Sequence, residues 1–157
     1  QWQTEDPELD TTPMETIGRI LRIEFLADAK MRSVFQTYGL DRGGFDVLAT
    51  LRRNGAPYRM TPTALYKELF LTSGAMTNRL DVLERVALIK RLADPNDRRG
   101  IQVELTKKGK MLIEQSMAEH MAGEADMLSN LTQAEQTKLA YLLKKITLKL
   151  EDDNAEK

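Results

Sequence analysis

Residues 94–100 read DPNDRRG and separate two short runs, ALIKRLA and IQVELT, that are typical of β-strands. Proline, asparagine, aspartate and glycine fix or tolerate the backbone angles of tight turns, so the segment predicts the tip of a β-hairpin. Two adjacent arginines would then be held away from the body of the fold. A charged tip of this kind is either a solvated turn or a contact for a polyanion, and the neighbouring segments bear on that choice.

The rest of the chain shows mainly helical periodicity. Apolar residues at three- and four-residue spacing predict a first helix from TTPM to the breaker Gly39, a second helix around 45–51, and two later helices over about 107–128 and 133–150. The chain is therefore expected to be mainly α with a small β wing, which the hairpin forms.

Two short helices are predicted directly before the hairpin. In MTPTALYKELF, Thr61 is a good N-cap and Pro62 suits the first helical position, while TSGAMTNRLDVLERVAL predicts a helix capped by Thr72 or Ser73. Joined by a short connection, the two helices form a helix-turn-helix candidate, and the hairpin behind them makes it a winged helix-turn-helix.

A winged helix-turn-helix places its second helix in the major groove of DNA, and the wing can insert an arginine into the adjacent minor groove. The first turns of the second helix are small and polar, so the backbone can approach DNA closely. The residues predicted to contact DNA are Ser73, Gly74, Met76, Thr77, Asn78 and Arg79 in this helix and Asp97, Arg98 and Arg99 in the wing. The alternative for the helix is an ordinary first turn on a solvated surface.

Charge is distributed unevenly along the chain. Residues 41–110 hold 14 Lys and Arg against 8 Asp and Glu, whereas the remaining residues hold 9 against 16. A local basic segment can bind a polyanion even though the whole protein carries a formal charge of -1. This asymmetry favours double-stranded DNA as the partner.

Composition argues against an enzyme. The chain has no cysteine, a single histidine at His120, and none of the glycine motifs that bind phosphates, so no catalytic residue, metal or cofactor is expected. The sequence also contains no apolar run of membrane length and no signal-peptide pattern at the start given. A cytoplasmic protein without a membrane partner is therefore expected.

The stretch LTSGAMTNRLDVLERVALIKRLADPNDRRGIQVELTKKG resembles the MarR family of dimeric winged-helix transcription regulators, and the order of helices fits that family over nearly the whole chain. The family's wing pattern, D-x-R followed by L-T, is met by Asp97, Arg99, Leu105 and Thr106. The resemblance implies that Arg99 enters the minor groove and that Asp97 orients it. Ala87 stands where the family usually has glycine, and alanine adopts a left-handed conformation poorly. The backbone geometry at the end of the second helix of the helix-turn-helix, the recognition helix, is therefore not predicted.

The same resemblance implies a division of the chain into two parts. Residues 1–40 and 107–157 would form a helical dimerisation region, and residues 41–106 would form the winged helix-turn-helix DNA-binding domain. The apolar stripes of the first and last helices together favour a homodimer, although packing within one chain explains any single residue of them.

Two further segments, QWQTEDPELDTTPM and FDVLATLRRNGAPYRMTP, resemble the urate-responsive, PecS-type branch of the family. The resemblance implies an effector pocket built by Trp2, Asp46, Arg53, Arg79 and Arg91. Asp46 and Arg53 are two helical turns apart and share a helix face. A tryptophan ring and planar guanidinium groups suit a flat anion such as urate.

Structural alternatives stay open for each of these residues. Asp46 and Arg53 can be a surface ion pair, Arg79 a phosphate contact, Arg91 a charge at the end of a strand, and Trp2 part of a frayed terminus.

The sequence thus predicts a ligand-responsive repressor that binds a pseudo-palindromic operator as a homodimer and is released by a small aromatic anion such as urate. The alternative is an architectural DNA-binding protein without an effector, whose affinity would be nearly independent of the DNA sequence.

Overall fold

The computed structural model describes residues 2–69, 71–95 and 97–155, apart from the side chains at positions 3, 98, 99, 154 and 155. The chain forms two compact units, divided between His120 and Met121. The division into a dimerisation region and a DNA-binding domain is a different one and stays a prediction.

Within the described residues the chain forms seven helices and three short strands. In chain order they are α1 (Trp2–Glu5), α2 (Thr12–Thr37), α3 (Arg42–Arg53), β1 (Arg59–Met60), α4 (Pro62–Glu68), α5 (Ser73–Arg85), β2 (Ile89–Asp94), β3 (Asp97–Leu105), α6 (Lys107–Met127) and α7 (Gln133–Ala155). The prediction of a mainly α fold with a small β wing is confirmed.

Side-chain caps determine where three of these helices begin. Asp41, Thr61 and Thr72 cap α3, α4 and α5, and the side-chain oxygen of each accepts a hydrogen bond from the backbone N–H three residues later, at 2.7, 3.1 and 3.3 Å. A cap of this kind contributes about 1 kcal/mol. The prediction for Thr61 is confirmed, and Thr72 rather than Ser73 caps α5.

The core of the first unit lies where the apolar faces of α3, α4 and α5 meet the sheet and the start of α6. Its most buried apolar side chains are at most 1% exposed, and they are Val47, Leu48, Leu51, Leu65, Met76, Leu80, Ile89, Val103 and Ile113. Met76 was expected to contact DNA. In the structure Met76, Leu80 and Leu83 form the face of α5 that packs into this core. A side chain buried there cannot reach DNA, so the predicted contact is wrong for Met76.

Ala87 follows α5 with a φ of +58°, in the left-handed region that alanine seldom adopts. Its N–H donates a hydrogen bond to the carbonyl oxygen of Glu84 at 2.9 Å, and the N–H of Leu88 donates to that of Leu83 at 3.0 Å. This pair of hydrogen bonds is the one that usually accompanies glycine at a helix end. The chain therefore keeps the glycine geometry with an alanine.

Replacing Ala87 with glycine should raise the free energy of unfolding by roughly 0.5–1 kcal/mol, because relief of the left-handed strain exceeds the entropy that glycine loses on folding. Urea unfolding monitored by circular dichroism measures this change. The control is Ala118→Gly, at an exposed position inside α6. This substitution should lower the free energy of unfolding by a similar amount. A loss of stability in both variants would contradict the strain at position 87.

The first turn of α6 closes the end of α5. The Lys108 ammonium, the Thr106 hydroxyl and the Thr106 backbone N–H donate hydrogen bonds to the carbonyl oxygens of residues 86, 87 and 88, at 2.9, 2.8 and 3.1 Å. Gly109 approaches so closely that a Cβ atom on it would lie 2.0 Å from the carbonyl oxygen of Leu88. The start of α6 therefore packs directly against the end of α5 and is hydrogen-bonded to it.

The sheet has the strand order β1-β3-β2, and all its pairs are antiparallel. Glu104 on β3 faces Arg59 on β1 and Lys90 on β2 across the ladder. Its carboxylate accepts a hydrogen bond from the Nε of Arg59 at 2.7 Å and pairs with the Nζ of Lys90 at 2.6 Å, while its side chain is only 13% exposed. The hydrogen bond from Lys90, supported by Arg59 and opposed by burial, lowers the pKa of Glu104.

A Glu104→Gln variant should be less stable by about 1 kcal/mol at neutral pH, because both cationic partners are partly exposed and only part of the charge-assisted hydrogen bonding is lost. Since the pKa of Glu104 is lowered on folding, its contribution is present above the ordinary carboxyl value and is lost as the pH falls through the lowered one. Unfolding curves at pH 7 and at successively lower pH should therefore converge for the variant and the unchanged protein. A difference that stayed constant down to low pH would contradict this role.

Candidate DNA-binding surface and effector site

The first two turns of α5 expose a small, polar surface. Ser73, Gly74, Thr77 and Asn78 are all exposed, and the Thr77 hydroxyl donates to the carbonyl oxygen of Ser73 at 3.0 Å. A Cβ atom on Gly74 would meet nothing within 4 Å, so the fold itself does not require glycine at this position. The absence of a side chain at Gly74 instead leaves room for the backbone of α5 to approach another molecule.

The β2–β3 hairpin forms the predicted wing. At the tip of the hairpin, Asp94 and Asp97 are opposite each other in the backbone register of the two strands. The Asp94 carboxylate accepts a hydrogen bond from the side-chain amide of Gln102 at 2.9 Å. Asp97 is exposed. The side chains of Arg98 and Arg99 lie outside the described ones, so their insertion into the minor groove stays a prediction.

Arg79 points from α5 toward α3 and is half-buried. A Cβ atom on Gly43 would lie 2.3 Å from its Nε and 2.4 Å from its Cζ, so the guanidinium occupies the space that a side chain at position 43 would fill. Arg79 lines two cavities, one of about 330 Å³ with Asn78 and Val82 and another of about 400 Å³ with Phe35. The side chain is thus directed into the protein rather than toward the exposed face of α5.

Asp46 and Arg53 lie on one face of α3, as predicted, and both line an open pocket of about 300 Å³. The Nη2 of Arg53 pairs with the Oε1 of Glu68 at 2.7 Å across this pocket. Burial raises the pKa of Asp46, and the positive charges of Arg42 and Arg79 oppose that rise. The charge of Arg79 therefore acts on Asp46, although Arg79 lines the other two cavities.

The two remaining effector residues lie elsewhere. Arg91 on β2 pairs through Nη2 with the Oδ1 of Asp81 at 2.6 Å and through Nη1 with the Oε2 of Glu84 at 2.5 Å, both on α5. These contacts tie the wing to the end of α5, and Arg91 lines none of the three pockets. Trp2 lies on α1 with 58% of its surface exposed. None of these three pockets brings all five residues together.

Comparison with known proteins assigns this arrangement to a family. A sequence model of the MarR family matches residues 38–100. The transcriptional regulator PecS of Dickeya dadantii (strain 3937) is 39% identical over 93% of this chain and 88% of its own length. The chain belongs to the MarR family. The multiple antibiotic resistance protein MarR of Escherichia coli (strain K12) is 31% identical over 83% of this chain and 90% of its own length.

Solved structures of MarR-family proteins share the fold. The crystal structure of a mutant MarR from E. coli complexed with operator DNA matches with a TM-score of 0.76 and 30% identity, over 87% of this chain and 96% of that one. AbsC from Streptomyces coelicolor has the same fold, with a TM-score of 0.83 and 21% identity over 92% of this chain and 97% of its own. The chain is accordingly a DNA-binding transcription regulator of PecS type and not an enzyme.

Sequence patterns missed two features of this MarR-family site. The role of Gly43 depends on a contact with a residue 36 positions later, and Arg91 pairs with two acids of the preceding helix. The adjacent glycines of α3, unusual inside a helix, were the one available signal that another residue packs closely there.

In the described part of the chain, no helix has the length and apolar character needed to cross a membrane.

Proposed function

We propose that this regulator is a repressor that binds a pseudo-palindromic operator as a homodimer and is released by a small aromatic anion of the urate type. Each chain presents one recognition helix, α5, with an exposed polar start and a wing beside it. Two such helices related by two-fold symmetry would read half-sites whose centres lie about 10 base pairs apart.

The apolar surface of α2 supports the homodimer. Six large apolar side chains of this helix are 47–63% exposed in the single chain, and they are Met14, Ile17, Leu21, Ile23, Phe25 and Leu26. They fall on more than one side of the helix, since Ile17, Leu21 and Phe25 share one face and Ile23 and Leu26 lie on another. A helix that is apolar around much of its circumference is stable only when other helices surround it.

The position of Arg79 carries the effector proposal. This cation belongs to the recognition helix, yet its guanidinium lies against α3 and lines two cavities. A bound anion can therefore act on the helix that reads DNA without touching the DNA surface. Arg53, Arg91 and Trp2 come from the family resemblance, and Arg53 would have to exchange Glu68 for the ligand.

Release by an anion is tested by titrating the intergenic DNA next to the gene with the protein, with and without urate at millimolar concentration. Coupling between two sites typically amounts to 1–3 kcal/mol, so saturating urate should weaken operator binding by roughly 5- to 150-fold. An unchanged affinity in urate would contradict the effector proposal. Hypoxanthine, which is flat but neutral, is the control for a nonspecific effect of purines.

The same titration separates a regulator from an architectural protein. A repressor should bind its operator roughly 10³-fold or more tightly than unrelated DNA at physiological salt, whereas an architectural protein binds both nearly equally. A footprint limited to one half-site would contradict the homodimer.

A further inference from the structure

The cavity of about 400 Å³ between α2, α3 and α5 contains three arginines that differ in how well they are neutralised. Asp28 pairs with Arg32 at 2.7 Å and with Arg42 at 3.0 Å, and Arg42 also contacts Glu24 at 3.3 Å. No ion pair within 4.0 Å joins Arg79 to a carboxylate among the residues that the structure describes. Of the three arginines, Arg79 alone lies outside a direct ion pair in the described part of the chain, and its charge acts on Asp46.

Gly43 leaves room for that cation against α3. The guanidinium of Arg79 fills the position of the missing Cβ, with the nearest three atoms at 2.3, 2.4 and 2.7 Å from it. Any larger residue at position 43 would force these atoms away. Because they are the far end of a flexible side chain, they can move without disturbing the backbone of either helix.

We propose that Gly43 is a positioning residue: its missing side chain leaves the space in which the Arg79 guanidinium lies inside the protein, where the anion of the proposed function would reach it. The cavity of about 400 Å³ is large enough for a small ligand, and most of the side chains that line it are charged or polar. The planar guanidinium of Arg79 suits a flat anion. The proposal rests on the proposed function in one respect, namely that the effector is an anion.

The position of the Arg79 guanidinium against Gly43, its seat, distinguishes two roles for Arg79, namely a contact to DNA phosphates and an interior contact to the effector. A guanidinium held against α3 is withdrawn from the phosphates, so Arg79 should add little to operator binding in the absence of the effector. Each phosphate contact contributes about 0.9 to the slope of log affinity against log salt. The salt slope of an Arg79→Ala variant distinguishes the two roles: a slope shallower by about 0.9 would show a phosphate contact and overturn the withdrawn position of Arg79, whereas an unchanged slope supports it.

The experiment compares Gly43→Ala with its neighbour Gly44→Ala. Both glycines are buried in the first turn of α3, but a Cβ atom on Gly44 would meet Asp41 and Leu83 instead of Arg79. The side-chain Nε–H signal of Arg79, assigned by its loss in Arg79→Lys, reports the seat directly by NMR. In Gly43→Ala it should shift to the position of exposed arginines, whereas in Gly44→Ala it should stay near that of the unchanged protein.

The second readout is operator binding with and without urate. Gly43→Ala should bind the operator within about threefold of the unchanged protein, a difference below 1 kcal/mol, yet should lose most of the weakening caused by urate. Gly44→Ala should keep the urate response. In an Arg79→Ala background, Gly43→Ala should change neither quantity further, because no guanidinium remains to be displaced.

The two readouts separate failure of this proposal from failure of the effector proposal. If the unchanged protein ignores urate, the effector proposal fails, and the Nε–H signal still tests the seat. If the Arg79 signal does not move in Gly43→Ala, or if that variant responds to urate as the unchanged protein does, the role of Gly43 is refuted.

Discussion

If the protein is the homodimer proposed above, a Leu142→Glu variant is expected to be monomeric and to bind the operator at least about 100-fold more weakly than the unchanged protein, because the gain from linking two half-site contacts is lost. Leu142 lies on α7 in a stripe with Leu139, Leu143 and Leu150, all of which are 37–57% exposed in the single chain. A carboxylate placed in an apolar interface loses its hydration, which strongly disfavours association.

Sedimentation velocity measures the mass of the particle, and an operator titration at fixed salt measures the affinity. The control is Ala140→Glu, which adds the same charge to α7 on a face that carries the exposed Lys144 and not the leucine stripe. It should remain dimeric and bind DNA normally. A Leu142→Glu variant that sediments as a dimer, or a monomeric one that binds with full affinity, would exclude this interface.

Gly109→Ala should lower the free energy of unfolding by roughly 3 kcal/mol, at the upper end of the usual cost of overpacking. The added methyl would lie 2.0 Å from the carbonyl oxygen of Leu88 and 2.9 Å from its carbonyl carbon, and backbone atoms cannot swing aside as a side chain does. Either α6 or the end of α5 must move.

Urea unfolding gives the change, and Gly74→Ala is the matched control. Gly74 also lies in the first turn of a helix, but its Cβ would meet nothing within 4 Å. Alanine there should raise the free energy of unfolding by about 0.5–1 kcal/mol through the helix entropy term. Stability in Gly109→Ala equal to that of the unchanged protein would show that the junction can relax.

Local chemistry made most of the helix boundaries predictable. Thr61 and Thr72 cap the helices expected to follow them, and the cap competes well with other conformations because it satisfies an otherwise unpaired N–H. The turn residues after β2 likewise favour a hairpin, but β3 begins at Asp97, so residues 97–100 belong to the strand and not to the turn as expected. β1 was not predicted, since a two-residue strand has no periodicity and forms only because β3 offers it an edge.

The candidate site was predictable only as far as one helix face extends. The shared face of Asp46 and Arg53 follows from their spacing, and both line one pocket. The seat of Arg79 on Gly43 and the pairing of Arg91 with α5 depend on tertiary contacts between separate elements. Met76 was assigned to DNA from its place in the sequence of α5, whereas its burial depends on which side of that helix faces the core.

The hydrogen bonds from Thr106 and Lys108 to residues 86–88 have a mechanical consequence. Because Gly109 packs closely against the backbone of Leu88, the end of the recognition helix α5 and the beginning of α6 must rotate together as one rigid unit. In a dimer, a small rotation of α6 would then alter the spacing between the two recognition helices. Substitutions far from the DNA could thereby retune which half-site spacing the protein accepts.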